Sequence, residues 1–146
     1  MPSLVPYESP TRPGPGLFRL TFGRCAVHTQ GHTVNNPLLS ELMPENLLWI
    51  NRAKAEELKI ADGEVVEVSS NGHCGRIKAK VTDFIHPDAV FMVHGFGHNL
   101  PVESRALGKG VSDGALMCGG LGLWDRGGGA MALQEHLVKV EKITGA

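Results

Sequence analysis

The sequence has no surplus of positive charge, no long apolar run and no paired cysteine motif. Its 146 residues carry 14 Lys and Arg against 15 Asp and Glu, a formal net charge of -1 with His neutral. No basic field is present to draw it to nucleic acid or acidic lipid. No apolar segment approaches the ~18 residues of a membrane-crossing helix, so direct membrane insertion is not expected. Three cysteines, Cys25, Cys74 and Cys118, stand far apart. An odd number without C-x-x-C spacing argues against a disulfide framework, a zinc knuckle or an iron–sulfur cluster in these residues. It leaves the cellular compartment open. Common nucleotide signatures are missing too. Gly108-Lys109-Gly110 lacks P-loop spacing, and no G-x-G-x-x-G follows a strand and opens a helix. Residues 1–16 lack the apolar stretch of a secretion signal. They hold Pro2, Pro6, Pro10, Pro13 and Pro15 and read as a mobile lead-in or linker.

What is present predicts one domain over residues 17–146, long enough for one ordinary core. A 42% apolar share and a mean hydropathy of -0.05 fit a soluble globular domain. Leu17–Phe22, Leu47–Ile50, Glu64–Ser70, Arg76–Thr82, Ala89–Val93 and His136–Ile143 read as strands, by β-branched content or by alternation. In Arg76–Thr82, Ile77, Ala79 and Val81 are expected to face inward. Asn71-Gly72 is a strong hairpin signal. Asn51 is a good N-cap for the helix RAKAEELK, with Ala55 and Leu58 inward. Leu38–Leu42 reads as a short helical turn stopped by Pro44. Short strands with hairpins and long connections predict a closed barrel, mainly β, with the helix inserted in it. No internal repeat is visible. Nine of the 19 glycines fall in Gly108–Gly129. Leu116, Met117, Leu121, Leu123 and Trp124 are interleaved there, which predicts an ordered loop system rather than a linker.

Two polar clusters stand at predicted strand ends: HTQGHT, His28–Thr33, and HGFGH, His94–His98. The pairs His28/His32 and His94/His98 have the i, i+4 spacing of helical zinc ligands. Gly31, Gly95 and Gly97 argue against a helix, and no Glu follows the first His as a general base. A hydrogen-bonding cradle is the better reading. His, Thr, Gln and Asn supply donors and acceptors for the edge of a flat heterocycle such as a pterin or purine. Glycine-rich loops can turn N–H groups to a pyrophosphate. The bland alternative is loop residues that satisfy one another. Arg24 is placed to clamp a phosphate or carboxylate, or else is simply solvated. Arg76, Lys78 and Lys80 read as a solvated strand face. Cys25 lacks a third group to complete a Cys–His nucleophile. Asp113 and Asp125 either contact a base edge or cap turns.

The order of features is more specific than any one of them. HTQGHTVNNPLLSELMPENLLWIN, a helix, ADGEVVEVSSNGHCGRIKAKVT, HPDAVFMVHGFGH and GKGVSDGALM together resemble the C-terminal domain of molybdopterin oxidoreductases of the dimethyl sulfoxide reductase superfamily. Within that superfamily it resembles in particular the catalytic subunits of thiosulfate, polysulfide and tetrathionate reductases. The resemblance runs from about Leu17 to Ile143. It implies a six-stranded double-psi β-barrel with one or two short helices. It implies contacts to a molybdopterin guanine dinucleotide that holds molybdenum or tungsten. By position the contacts fall on Arg24, His28, Thr29, Gln30, Thr33 and Asn36, on His94, Gly95 and His98, and on Lys109, Ser112 and Asp113. No catalytic or metal-ligating residue is implied in this chain. In the family the metal ligand and any iron–sulfur cluster lie far upstream. The resemblance therefore implies, as partners, the remainder of a catalytic subunit and an iron–sulfur electron-transfer subunit. It also implies a periplasmic or membrane-associated complex if this protein follows those relatives, and a cytoplasmic one otherwise. WDRGGGAMAL and the preceding CGGLG depart from the family pattern. Two rival functions are a free-standing barrel that binds a nucleotide or protein without redox work, and a small metallohydrolase built on the histidine pairs.

Overall fold

Alternating Phe18 and Leu20, Val66 and Val68, Ile77 and Ala79, and Val138 and Val140 need an enclosed apolar space, and a sheet closed on itself supplies it. In a computed structural model, which describes residues 13–102, 105–117, 128–131 and 133–143, these side chains are buried together with Leu48, Ile50, Val90 and Met92 in one core. The strands are β1 (Leu17–Gly23), β2 (Leu48–Asn51), β3 (Val65–Ser70), β4 (His73–Thr82), β5 (Ala89–Val93) and β6 (Leu137–Lys142). They close in the order β1-β5-β2-β4-β3-β6. The expected six-stranded barrel is present. Among the described residues it carries three short α-helices rather than one or two: α1 (Pro37–Leu42), α2 (Arg52–Glu57) and α3 (Asp113–Leu116). Asn51 caps α2 through Ala53 N–H, as read from the sequence, and Ala55 is buried beneath it. Val81 departs from the expected pattern. It is half-buried at the core's edge, where α2 packs over β2 and β4, and Thr82 takes the buried position. The predicted positions Leu121, Leu123, Trp124 and Asp125 lie outside the described residues.

Two pairs, β1–β5 and β2–β4, run parallel, and the other four pairs are antiparallel. Exchanging β1, β2 and β3 for β4, β5 and β6 leaves both the order and the directions unchanged. The fold thus has an internal twofold repeat that the sequence does not display, two parallel crossings exchanged by the symmetry, as expected of a double-psi barrel. The directions also sort the connections. β1, β3 and β5 end at one rim, where β2, β4 and β6 begin. That rim receives the 24–47 connection, the Asn71-Gly72 hairpin and the 94–136 connection. The opposite end receives α2, the turn at Asp83–Asp88, and the start of β1 beside the end of β6.

Asn46 ties the rim together. It is fully buried. Its Nδ2 donates to Val93 O and Val111 O, both at 2.9 Å, and its Oδ1 accepts from Val111 N–H at 3.0 Å. One side chain thereby joins the approach to β2, the end of β5 and the connection to β6.

Two outcomes follow from this packing. Asn46→Ala strands three buried backbone groups, each worth about 1–3 kcal/mol, so thermal unfolding should show a midpoint lowered by roughly 5 °C or more. His136 is 2% exposed, and burial pushes its imidazole below the usual value of 6.5. Below about pH 6.5 the unfolded chain therefore takes up a proton that the folded chain refuses. Stability should fall as the pH drops through that window, until the folded imidazole also protonates. Urea titrations between pH 7.5 and 5 should give a smaller slope of stability against pH for His136→Leu than for the wild type.

Candidate functional site

Parallel pairing decides where the polar clusters meet. Gly23 and Val93 are register partners at the ends of β1 and β5, and His94 N–H donates to Gly23 O at 2.9 Å. Arg24 and His94 therefore leave the rim side by side. The loops that follow touch backbone to backbone. Gly95 has φ +98°, and a Cβ there would stand 2.5 Å from Gln30 C and Gly31 N. Gly97 has φ +79°, and its Cβ would stand 2.2 Å from Ser112 N. HGFGH is thus threaded between HTQGHT and the Val111–Ser112 segment. These glycines are required because protein packs on protein.

The sequence-predicted residues divide into two groups. Some are occupied within the protein. His28 is 4% exposed. Its Nε2 lies 2.8 Å from Met43 O and its Nδ1 3.3 Å from Thr33 Oγ1, and its ring meets Phe96 edge-on. Thr33 Oγ1 also accepts from Thr29 N–H at 2.8 Å. Asn36 caps α1 by accepting from Leu38 and Leu39 N–H. Ser112 caps α3 through Ala115 N–H. Asp113 is 1% exposed, and its Oδ2 lies 2.6 Å from His94 Nδ1. His98 is half-buried with Nε2 3.1 Å from Gly95 O. These side chains bond to one another and to the loop backbone.

The second group is turned outward on the same loops. Arg24, Thr29 and Lys109 are exposed, and Gln30 is half-buried. Gln30 opens a 3-10 turn, Gln30–His32, with φ 51°, uncommon for a residue with a side chain. The His94 side chain is 38% exposed. This set combines cations, a hydroxyl, an amide and an imidazole. It suits a ligand that carries both a heterocycle edge and phosphates.

Other residues escaped the sequence. Asn46 carried no signal beyond standing before an apolar strand. Asn35 Oδ1 accepts from Arg105 and Ala106 N–H at 2.9 and 3.1 Å and holds the far part of the 94–136 connection. Arg76 is exposed, as a solvated strand face requires, and also lines a cleft of about 350 Å³ with His73, Gly108, Gly110 and Ser112. The glycine there lets loop and strand close up: a Cβ on Gly75 would stand 2.7 Å from Val111 Cγ2. Cys25 and His28 form no Cys–His side-chain pair: the sulfur accepts from His28 N–H at 3.3 Å, and the imidazole is turned to Met43 O. Among the described residues no three His, Cys, Asp or Glu side chains gather to hold a metal. Among them no helix is long and apolar enough to cross a membrane.

Comparison with known proteins bears on the family and the fold. The thiosulfate reductase molybdopterin-containing subunit PhsA of Salmonella typhimurium is 37% identical over 95 residues, 65% of this chain and 12% of that protein. The arsenate respiratory reductase molybdopterin-containing subunit ArrA of Chrysiogenes arsenatis is 29% identical over 122 residues, 75% of this chain and 14% of that protein. The chain thus spans about one eighth of these relatives. Acetylene hydratase from Pelobacter acetylenicus superposes with a TM-score of 0.71 and 17% identity, over 86% of this chain and 18% of that one. The sequence pattern described as Molydopterin dinucleotide binding domain matches residues 18–122. By that match, which covers most of the barrel and both polar loops, the chain belongs to the molybdopterin dinucleotide-binding domain family.

Proposed function

We propose that this chain is the C-terminal domain of a molybdenum oxidoreductase, and that it holds a molybdopterin guanine dinucleotide on the β1–β5 rim. The carrying observation is the joint exit of two polar loops from neighbouring parallel strands in a member of this family. The donor set fits the group. Gln30, Thr29 and His94 match the donors and acceptors of a pterin edge, and Arg24 and Lys109 match a pyrophosphate. Gly95 serves by closing the two loops on each other. His28, Thr33, Asn36 and Ser112 act through the loop geometry they maintain. When bound, the cofactor supplies two-electron oxygen or sulfur transfer at molybdenum or tungsten. This chain's residues bind and orient it. The 37% identity to a thiosulfate reductase subunit favours an inorganic sulfur compound as substrate. The remainder of the catalytic subunit and an iron–sulfur subunit are the expected partners.

An antibody to the 15.6 kDa chain should detect, in the source cells, a polypeptide several times larger. That polypeptide, once purified, should contain molybdenum or tungsten and pterin. A native polypeptide of the chain's own size, with no metal-bearing partner, would overturn the reading. Arg24→Ala in the purified native protein should lower pterin content with little change in melting temperature, because the side chain is exposed. His28→Ala should lower the melting temperature instead, because it empties a buried, doubly bonded site.

A further inference from the structure

Asp113 has no access to a ligand and yet lies directly behind one of the rim's outward groups. It is 1% exposed. Its Oδ2 is 2.6 Å from Nδ1 of His94, whose side chain is 38% exposed. The carboxylate is not needed to cap α3, since Ser112 Oγ takes that role. Among the described residues its side-chain partner is the His94 imidazole.

An ionised carboxylate only accepts hydrogen bonds. Facing a carboxylate, Nδ1 is the N–H of the ring, and in that tautomer the lone pair is on Nε2. Nε2 is on the ring edge turned away from Asp113, and it has no hydrogen-bond partner among the described residues. His94 is restrained in two further ways. Its backbone N–H is bound to Gly23 O, and the Phe22 ring packs against it at 5.9 Å between centroids. An imidazole held in one place and one tautomer is a directed acceptor. The same logic fixes histidines that ligate metals through a carboxylate behind them.

We propose that Asp113 is a positioning residue, which holds His94 in the Nδ1–H tautomer so that Nε2 accepts a hydrogen bond from an N–H on the pterin edge. This rests on the cofactor reading above. Asp113 then acts on the ligand only through His94. A ligand whose facing edge lacks an N–H loses this contact.

The test is a double-mutant cycle in the purified native protein that contains this chain. The readouts are the rate of pterin and molybdenum loss on dialysis and the melting temperature. Asp113→Asn, whose amide can donate to Nδ1 and reverse the tautomer, should speed cofactor loss about tenfold. In a His94→Gln background the same change should leave the rate within about twofold. An equal acceleration in both backgrounds, or none in either, overturns the proposal. If Asp113→Asn gives no cooperative melt, two His94 variants decide the matter. His94→Gln places its amide near the Nε2 position, and His94→Asn places it near Nδ1. Slower cofactor loss from the Gln variant supports the proposal; slower loss from the Asn variant overturns it. Wild-type protein without pterin or metal overturns the cofactor reading itself, and the inference with it.

Discussion

The parallel pairing of β1 with β5 is the constraint on which the rest depends. Two neighbouring strands that run the same way must release their following loops at the same rim. Here that puts Arg24 next to His94 and sets HTQGHT against HGFGH, segments about 65 residues apart in the chain. An antiparallel pairing would send them to opposite ends of the barrel. Every later feature is built on that juxtaposition. Gly95 allows the two backbones to close, Asn46 binds the third segment to both, and the buried carboxylate of Asp113 comes up behind His94.

The strands were legible because β-branched content and alternation are local properties. Val66 and Val68, and Ile77 and Ala79, announce an inner face without any knowledge of the neighbours. The N-cap at Asn51 and the Asn71-Gly72 hairpin were legible for the same reason. The hairpin residues take φ values of 53° and 78°, as a two-residue turn of this type requires. The short helices α1 and α3 were harder, at six and four residues. α3 has a serine cap but too few residues to show a period.

The two polar loops stand out in the sequence as segments, but which of their side chains are buried and which face outward does not. A buried histidine and an exposed one look alike in sequence. His28 and His94 each stand beside a glycine-containing polar run, yet one is spent on Met43 O and Thr33 and the other faces out. What separates them is long-range: the path of residues 34–43 back over His28, and the arrival of Asp113 beneath His94. The same holds for Asn46, whose partners Val93 and Val111 are 47 and 65 residues away. The twofold repeat was hidden because it lives in strand order and direction. Its two halves have diverged most in their connections. The 24–47 loop corresponds to the six-residue turn at Asp83–Asp88, and the 94–136 loop corresponds to the α2 segment.

The pairing of β1 with β6 has a consequence of a different kind. Leu17 pairs with Lys139, and β6 runs on to Lys142 beside Val66, so the start of β1 and the end of β6 lie at the same end of the barrel, away from the polar loops. A module whose two strand ends share one end can be joined to a larger architecture from that side, with no connection crossing the opposite rim. The rim can then be pressed against whatever the host scaffold presents, while the seam by which the module is joined stays at its back.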